Sequence, residues 1–320
     1  MRAYLAVFVG GFLGCSGSSE GPVEPTDDAG EEVSADTGTP SLDSAPETLI
    51  ADAATDTSKE AAPVDAATDT GGPTLPGWKL VWNDEFDGPD GAAVDPKKWN
   101  HDVGGGGFGN AEREYYTDGT ANAVQRAGEL VITARKEGGK TCWYGPCTHT
   151  SARLKTKGLA AFTYGRVAAR IKIPRGQGIW PAFWMLGDDI DKNAWPACGE
   201  IDVLENIGKE PTTIHGTIHG PGYSGGAGIG SAKSSTTPFA DAFHEYAVEW
   251  EKDVIRFYVD DALYATRTPS ELPKGTKWVY DHPFFLILNL AVGGGWPGDP
   301  DGTTVFPQEL RVDWVRVYQR

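Results

Sequence analysis

Between residues 78 and 320 apolar side chains recur at every second position, in short runs. In "RVAARIKI", Val167, Ala169, Ile171 and Ile173 share one parity, and Arg166, Arg170 and Lys172 take the other. "HEYAVEW" puts Tyr246, Val248 and Trp250 together, and "VIRFYV" does the same with Ile255, Phe257 and Val259 before a turn at Asp260-Asp261. Side chains of a strand alternate between faces, so each run can bury one face and wet the other. "ELVITARK" and "RVDWVRVYQR" read as further strands. "FFLILNLAV" is apolar throughout and should be central, covered on both sides. Gly, Pro and Asn clusters separate the runs, and the helices of ten or more residues that an α/β fold needs are not found. The pattern predicts an all-β fold, an antiparallel sandwich or barrel, and about 240 residues suit one such domain.

The first 77 residues differ in kind. Residues 16–77 are built of Ala, Asp, Thr, Pro, Ser and Gly, with "DAATDT" at 52–57 and again at 65–70. Their 14 acids against the single base Lys59 account for −13 of the formal net charge of −17. So few apolar groups cannot offset the entropy of ordering, and like charges repel, so a disordered acidic tether is expected. With Arg2 adding one positive charge, residues 78–320 keep only −5 and show no basic patch. Nucleic acid is therefore not an expected partner. Residues 1–15, "MRAYLAVFVGGFLGC", join one positive charge to an apolar run too short to span a bilayer. This is the pattern of an export signal. Gly14-Cys15 resembles a bacterial lipoprotein cleavage box with Cys15 as the lipidated residue, although Phe12 departs from that box. An ordinary secretory signal is the alternative. The expected location is the bacterial cell surface or periplasm, with the membrane reached only through that anchor, and otherwise the medium.

Cys142 and Cys147 flank the turn-forming "WYGP", which could bring their Cα atoms into bridging range, and export favours a disulfide. Cys198 is left over and reads as a packed thiol, since neither cysteine-nucleophile partners nor Cys-x-x-Cys metal spacing accompanies it.

The chemistry concentrates in "GEIDVLENIG", residues 199–208. Its apolar residues mark a buried strand, yet strict alternation puts Glu200 and Asp202 on one face and Glu205 on the opposite one. One extra residue, a β-bulge at Val203-Leu204, reverses the parity of everything after it and brings Glu205 round to the other two acids. Glu200 and Glu205 then stand four strand steps apart, roughly 13 Å along the backbone. With each side chain leaning toward the other, the carboxyls come to about 5–7 Å, which favours a retaining glycosidase (about 5–5.5 Å) without excluding an inverting one. Mutual repulsion keeps one acid protonated for a leaving oxygen while another attacks, and Asp202 between them can orient Glu200. A solvated acidic edge or a calcium loop is the competing reading, but calcium prefers loops rich in Asp, Asn and Gly.

The order of motifs resembles glycoside hydrolase family 16, and within it the bacterial endo-β-1,3-glucanases (laminarinases). The likeness covers 78–320 through "WNDEFDG", "GFGNAEREYYT", "SARLKTKG", "GQGIWPAFWMLG", "GEIDVLENIG", "HGTIHGPGYSGG", "FHEYAVEW" and "NLAVGGGWPG". Glu-x-Asp-x-x-Glu is similar to the bulged form of the family signature. The resemblance implies a β-jelly-roll sandwich of two curved antiparallel sheets with a concave substrate cleft. It implies catalytic roles for Glu200 as nucleophile, Glu205 as general acid/base and Asp202 as the residue assisting Glu200.

Trp180 and Trp184 share strand parity, and indoles stack well on the apolar faces of sugars. Trp296, in a Gly- and Pro-rich loop, suits a cleft rim. His219, sharing parity with His215, matches the family's cleft histidine, while Asn110 and Arg153 match positions that contact sugar hydroxyls. Glu112 and Glu114 read as structural. No cofactor is implied for catalysis. Many members bind one structural Ca2+, and the matching donors are backbone oxygens of Glu85 and Gly128 and the side chain of Asp313. The implied activity is endo-hydrolysis of β-1,3-glucan by a monomer. Alternatives on the same fold are a β-1,3-1,4-glucanase, a transglycosylase, an enzyme for agarose or carrageenan, or a non-catalytic β-glucan-binding protein.

Overall fold

The computed structural model describes residues 75–320. The expected export signal, lipidated Cys15 and nearly all of the tether lie outside the described residues. Among the described residues helix is confined to three short 3-10 turns, and nearly everything else regular is antiparallel strand. Two sheets dominate. The first has seven strands in the spatial order Ile229–Ser234, Thr213–His219, Glu200–Glu205, Ile179–Gly187, Phe284–Val292, Arg153–Lys155 and Asn100–Asp102. The second runs Ala262–Arg267, Val254–Val259, His244–Glu251, Gly165–Lys172, Gln308–Gln319, Glu129–Ala134 and Ala123–Arg126, with Lys79–Asp84 added along Gln308–Gln319. Neighbours in space are often distant in sequence, as a jelly roll requires.

One core lies between the sheets, and the alternation in the sequence decides who enters it. Val167, Ala169 and Ile171 of one sheet are buried in the same cluster as Phe183, Met185, Ile201, Leu286 and Leu288 of the other. Burying each of the larger of these side chains is worth about 1.5–3 kcal/mol, so a strand slipped by one residue would forfeit its whole set. Phe284–Val292 is buried along its whole length because both of its faces are covered. Phe284, Leu286 and Leu288 enter the main core, and Phe285 and Ile287 join Leu186 and Cys198 in a second cluster. The hairpin after Val254–Val259 turns at Asp260 and Asp261, whose φ angles are 49° and 60°. Two successive left-handed residues make the tight turn that suits the twist of paired strands, and aspartate tolerates that region.

The Glu200–Glu205 strand carries the bulge that the parity of its acids demands. Against Ile179–Gly187, Phe183 pairs with Leu204 but Trp184 pairs with Asp202, so Val203 has no opposite number. Against Thr213–His219 the register likewise jumps from Asp202–Thr217 to Glu205–His215. Both neighbours see the same surplus residue. The energetic choice is one-sided. A bulge sacrifices ladder bonding worth about 1 kcal/mol, whereas an ionised Glu205 turned into the apolar core would cost several times that. Ile201, Val203 and Leu204 are all buried behind the acids. One residue fewer would restore plain alternation and leave the acids together without a bulge.

Cys142 and Cys147 are joined in a disulfide, with Cα atoms 5.1 Å apart, and Cys198 is a buried free thiol.

Candidate active site

The face of the seven-stranded sheet turned away from the core carries a cleft of about 610 Å³. Its floor and walls draw on six neighbouring strands, from Gly230 through Thr217, Glu205 and Trp184 to Asn289 and Arg153. At about 4.8 Å per strand the cleft runs some 24 Å across the sheet, a length suited to several sugar rings in a row. Glu200, Asp202 and Glu205 sit together in its floor, and Asn110, Arg153, Trp180, Trp184, His219 and Trp296 also line it.

Both neighbouring strands act as rulers for the two glutamates. Glu200 faces Leu186 and Glu205 faces Ala182 on one side, His219 and His215 on the other. Each pair is four residues apart, so the four-step separation is a property of the sheet. Fixed donors aim the carboxylates. The Trp180 indole donates to Glu205 Oε1 at 3.1 Å, and the Trp195 indole donates to Glu200 Oε2 at 2.5 Å. His219 Nε2 lies 3.1 Å from Asp202 Oδ2 and 3.9 Å from Glu200 Oε1. Trp180 and Trp184 both face the cleft, and the Trp296 ring stands edge-on to Trp180 at 5.6 Å and to His215 at 5.0 Å.

The wall beyond Trp184 is a continuous polar relay. Trp184 Nε1 donates to Asn289 Oδ1 at 2.7 Å, and Asn289 Nδ2 donates to the Tyr116 hydroxyl at 3.2 Å. That hydroxyl donates to Glu112 Oε2 at 2.8 Å, and Asn110 Nδ2 donates to the other oxygen at 3.1 Å. Arg153 is both cleft wall and ion pair: it donates to Asp102 at 3.0 Å and stacks on Trp184 and Phe108. Glu114 is fully buried and accepts from the Val292 amide, a structural part; Glu112 is a buried side chain that also lines the cleft. Two further lining residues are unforeseen from the sequence. Asn289 is the lone polar residue in an apolar strand, and that interruption was the available signal. Trp195 has only its place in the loop before the acidic strand to mark it.

Electrostatics follow from crowding three acids in a recess. Burial pushes Glu200 up to about 8, aided by the charge of Asp202, and burial pushes Asp202 up to about 7. Glu205 is held well above the usual carboxylate range by burial and then by the charges of Asp202 and Glu200. All three directions agree: the site keeps protons near neutral pH, and Glu205 feels both of the other charges.

The residues expected to offer oxygens to calcium belong to the other sheet. Asp84 pairs with Val315 and Leu130 with Val312, so Glu85 and Gly128, just past the ends of those neighbours, flank Asp313-Trp314. Arg170 takes one Asp313 oxygen at 2.5 Å, a half-exposed pair of small worth. Among the described residues no turn or loop hydrogen bond ends on the carbonyl oxygen of Glu85 or Gly128. The second Asp313 oxygen and these two carbonyls are donors of the chemical type that a hard cation takes.

The raised acids make stability depend on pH. Because the folded site binds protons that the unfolded chain has released, stability falls as pH rises from about 4 toward about 8. Glu200→Gln removes part of that fall. Its melting temperature should match the native protein near pH 4 and exceed it by on the order of 5–10 °C at pH 8. Parallel melting curves for the two proteins across this range would refute the assignment.

The comparisons with known proteins point one way. The model of glycosyl hydrolases family 16 matches residues 111–316. A β-glucanase of Rhodothermus marinus is 44% identical over 257 residues, covering 76% of this chain and 86% of that protein. Glucan endo-1,3-β-glucosidase A1 of Niallia circulans is 37% identical over 270 residues; the match takes in 77% of this chain but 39% of that longer protein. The crystal structure of the laminarinase catalytic domain from Thermotoga maritima superposes with a TM-score of 0.72 at 49% identity, covering 76% of this chain and 98% of that one. With the bulged acidic strand at the floor of a sugar-sized cleft, these likenesses establish that the chain belongs to glycosyl hydrolases family 16.

Proposed function

We propose that the protein is an endo-acting β-1,3-glucanase of the laminarinase kind that cleaves with retention of configuration. The observation that carries this reading is the pairing of Glu200 and Glu205 on one cleft face, four strand steps apart. That spacing, with each side chain leaning inward, suits the roughly 5–5.5 Å of a retaining pair. In the first step Glu200 attacks the anomeric carbon while Glu205 protonates the departing oxygen. Glu200 and Asp202 share a proton, and Asp202 holds it when Glu200 is ionised to attack. In the second step Glu205 takes a proton from water, which releases the sugar from Glu200. Trp180, Trp184 and Trp296 supply flat apolar faces for the rings, and Asn110, Arg153 and His219 supply polar contacts to hydroxyls. A cleft crossing six strands supports attack within a polymer chain by a single subunit.

The same reading includes two accessory features. One calcium ion held by Asp313 and the carbonyls of Glu85 and Gly128 would brace the second sheet. Export, with Cys15 as lipid anchor, is supported by the pattern of residues 1–15 and by the Cys142–Cys147 disulfide, which persists in oxidising compartments.

Reducing ends released side by side from laminarin, lichenan, agarose and carrageenan should be most abundant with laminarin; a clear preference for another polymer would displace the proposal. Glu205→Ala should lose about 10²–10⁴-fold on glucan yet keep the first step on a donor whose leaving group needs no proton. Azide should then yield a β-glycosyl azide, since two inversions restore configuration. An α product, or near-native glucan activity in the variant, would contradict the assigned roles.

Chelation should lower the melting temperature of the native protein and leave product pattern and pH optimum alone, because an ion bound only to the folded state stabilises it. Equal melting with and without chelator, in native protein and Asp313→Ala alike, would dismiss the ion.

Mass spectrometry of the natively expressed protein should find a lipid on an N-terminal Cys15, and an unmodified terminus elsewhere would reduce it to an ordinary secreted enzyme.

A further inference from the structure

Trp143 is half exposed, with 52% of its surface open, yet it is held more firmly than an exposed side chain needs to be. It sits inside the Cys142–Cys147 bridge, and its amide donates to Gly105 O at 2.8 Å. Its indole Nε1 donates to Glu112 O at 2.9 Å. The Arg113 guanidinium lies over the ring, 5.1 Å from its centroid, and is itself anchored on Asp299. Tyr144 stands edge-on to the same ring and donates to Arg113 O at 2.6 Å. With its N–H used and Arg113 stacked against the ring, what the side chain still offers to a ligand is flat apolar surface.

The location makes that surface useful. The residue it bonds, Glu112, lines the cleft, as does Asn110, which is tied to the Glu112 carboxylate. Both stand at the wall where the relay from Trp184 through Asn289 ends. A Cβ at Gly107, in the loop that carries Asn110 and Glu112, would stand 2.8 Å from the Trp143 ring nitrogen, so that loop and the indole pack closely. Exposing an indole forgoes the burial that a Trp side chain usually gains. Trp143 is therefore an aromatic platform bonded to the back of the cleft wall, outside the cleft's own lining, and fixed before any ligand arrives.

Resting on the functional reading above, we propose that Trp143 is a distal sugar-stacking platform: it binds the glucan chain one or more units beyond the Asn110–Glu112 wall and sets a preference for long chains. The disulfide closes the short loop that carries the platform. Preorganisation of this kind lowers the entropic cost of engaging a flexible polymer. A purely structural Trp143 would act on short and long substrates alike, because its only consequence would be the position of Glu112.

The experiment measures kcat/KM on the polymer that the native enzyme cleaves fastest and on a four-unit fragment of the same polymer, in the native protein, Trp143→Ala and Trp143→Phe. The polymer-to-fragment ratio is independent of the folded fraction, so a partly unfolded variant remains informative. In Trp143→Ala the ratio should fall roughly 5- to 10-fold, mainly through KM on the polymer. Trp143→Phe keeps a flat ring but loses the bond to Glu112 O, and it should recover most of the ratio. An unchanged ratio in Trp143→Ala, or equal loss in the Phe and Ala variants, would overturn the platform. A native enzyme that prefers a polymer other than laminarin would overturn the functional reading instead, and the ratio would still test Trp143.

Discussion

Three carboxylates held out of water in one recess are the constraint around which the rest of this protein is arranged. Each loses hydration, the charge of Asp202 adds to the cost for Glu200, and both charges add to it for Glu205, so the ionised forms of all three are disfavoured. The protein offsets this only in part. Single donors from Trp180 and Trp195 reach Glu205 and Glu200, His219 lies 3.1 Å from Asp202 without a hydrogen bond to it, and no lysine or arginine is among the cleft residues that touch the acids. A full salt bridge would hold a carboxylate ionised and spoil its use as an acid. The incomplete compensation leaves protons available near neutral pH, which is the condition a proton-donating site needs.

Such a site requires a stiff support. The support is the two-sided burial of Phe284–Val292 and Ile179–Gly187, the strands nearest the acids on one side. Their core faces lock into the main cluster, and their opposite faces present Trp180, Trp184 and Asn289 to the cleft. Behind the wall, the relay through Asn289, Tyr116, Glu112 and Asn110 satisfies groups that would otherwise be buried without partners. Polar networks of that sort fix orientation because each member has one good arrangement. The wall is therefore rigid for the same reason that it is polar.

Legibility differed from element to element for physical reasons. Period-2 alternation is a local property of the chain, and it marked out Gly165–Lys172, His244–Glu251 and Val254–Val259 as strands with the correct apolar faces, although Arg166, read on the wetted side, is buried among Glu245, Glu249 and Asp261. The Asp260-Asp261 turn was equally local. The bulge at Val203 could be reasoned out because three acids of inconsistent parity had to be reconciled on one strand. Asn289 was passed over because its strand was read as apolar throughout, although a single amide there has no use except to bond across a sheet. Arg153, expected at sugar hydroxyls, also proves to be tied to Asp102, a residue 51 positions earlier that no spacing rule connects to it.

What the sequence by itself determined is whatever depends on near neighbours along the chain: strand periodicity, turn chemistry, the acidic tract before the domain, and the clustering of Glu200, Asp202 and Glu205. The resemblance of ordered motifs extended that to a family and a cleft. What only the tertiary structure decided is which distant groups share space. The Trp195 indole on Glu200, the Trp143 ring beside Glu112 and the register that carries Glu85 and Gly128 to Asp313 all arise from strand order across the sheets. Strand order is set by long-range packing of both faces, and contacts of that kind leave no periodic trace in a single chain.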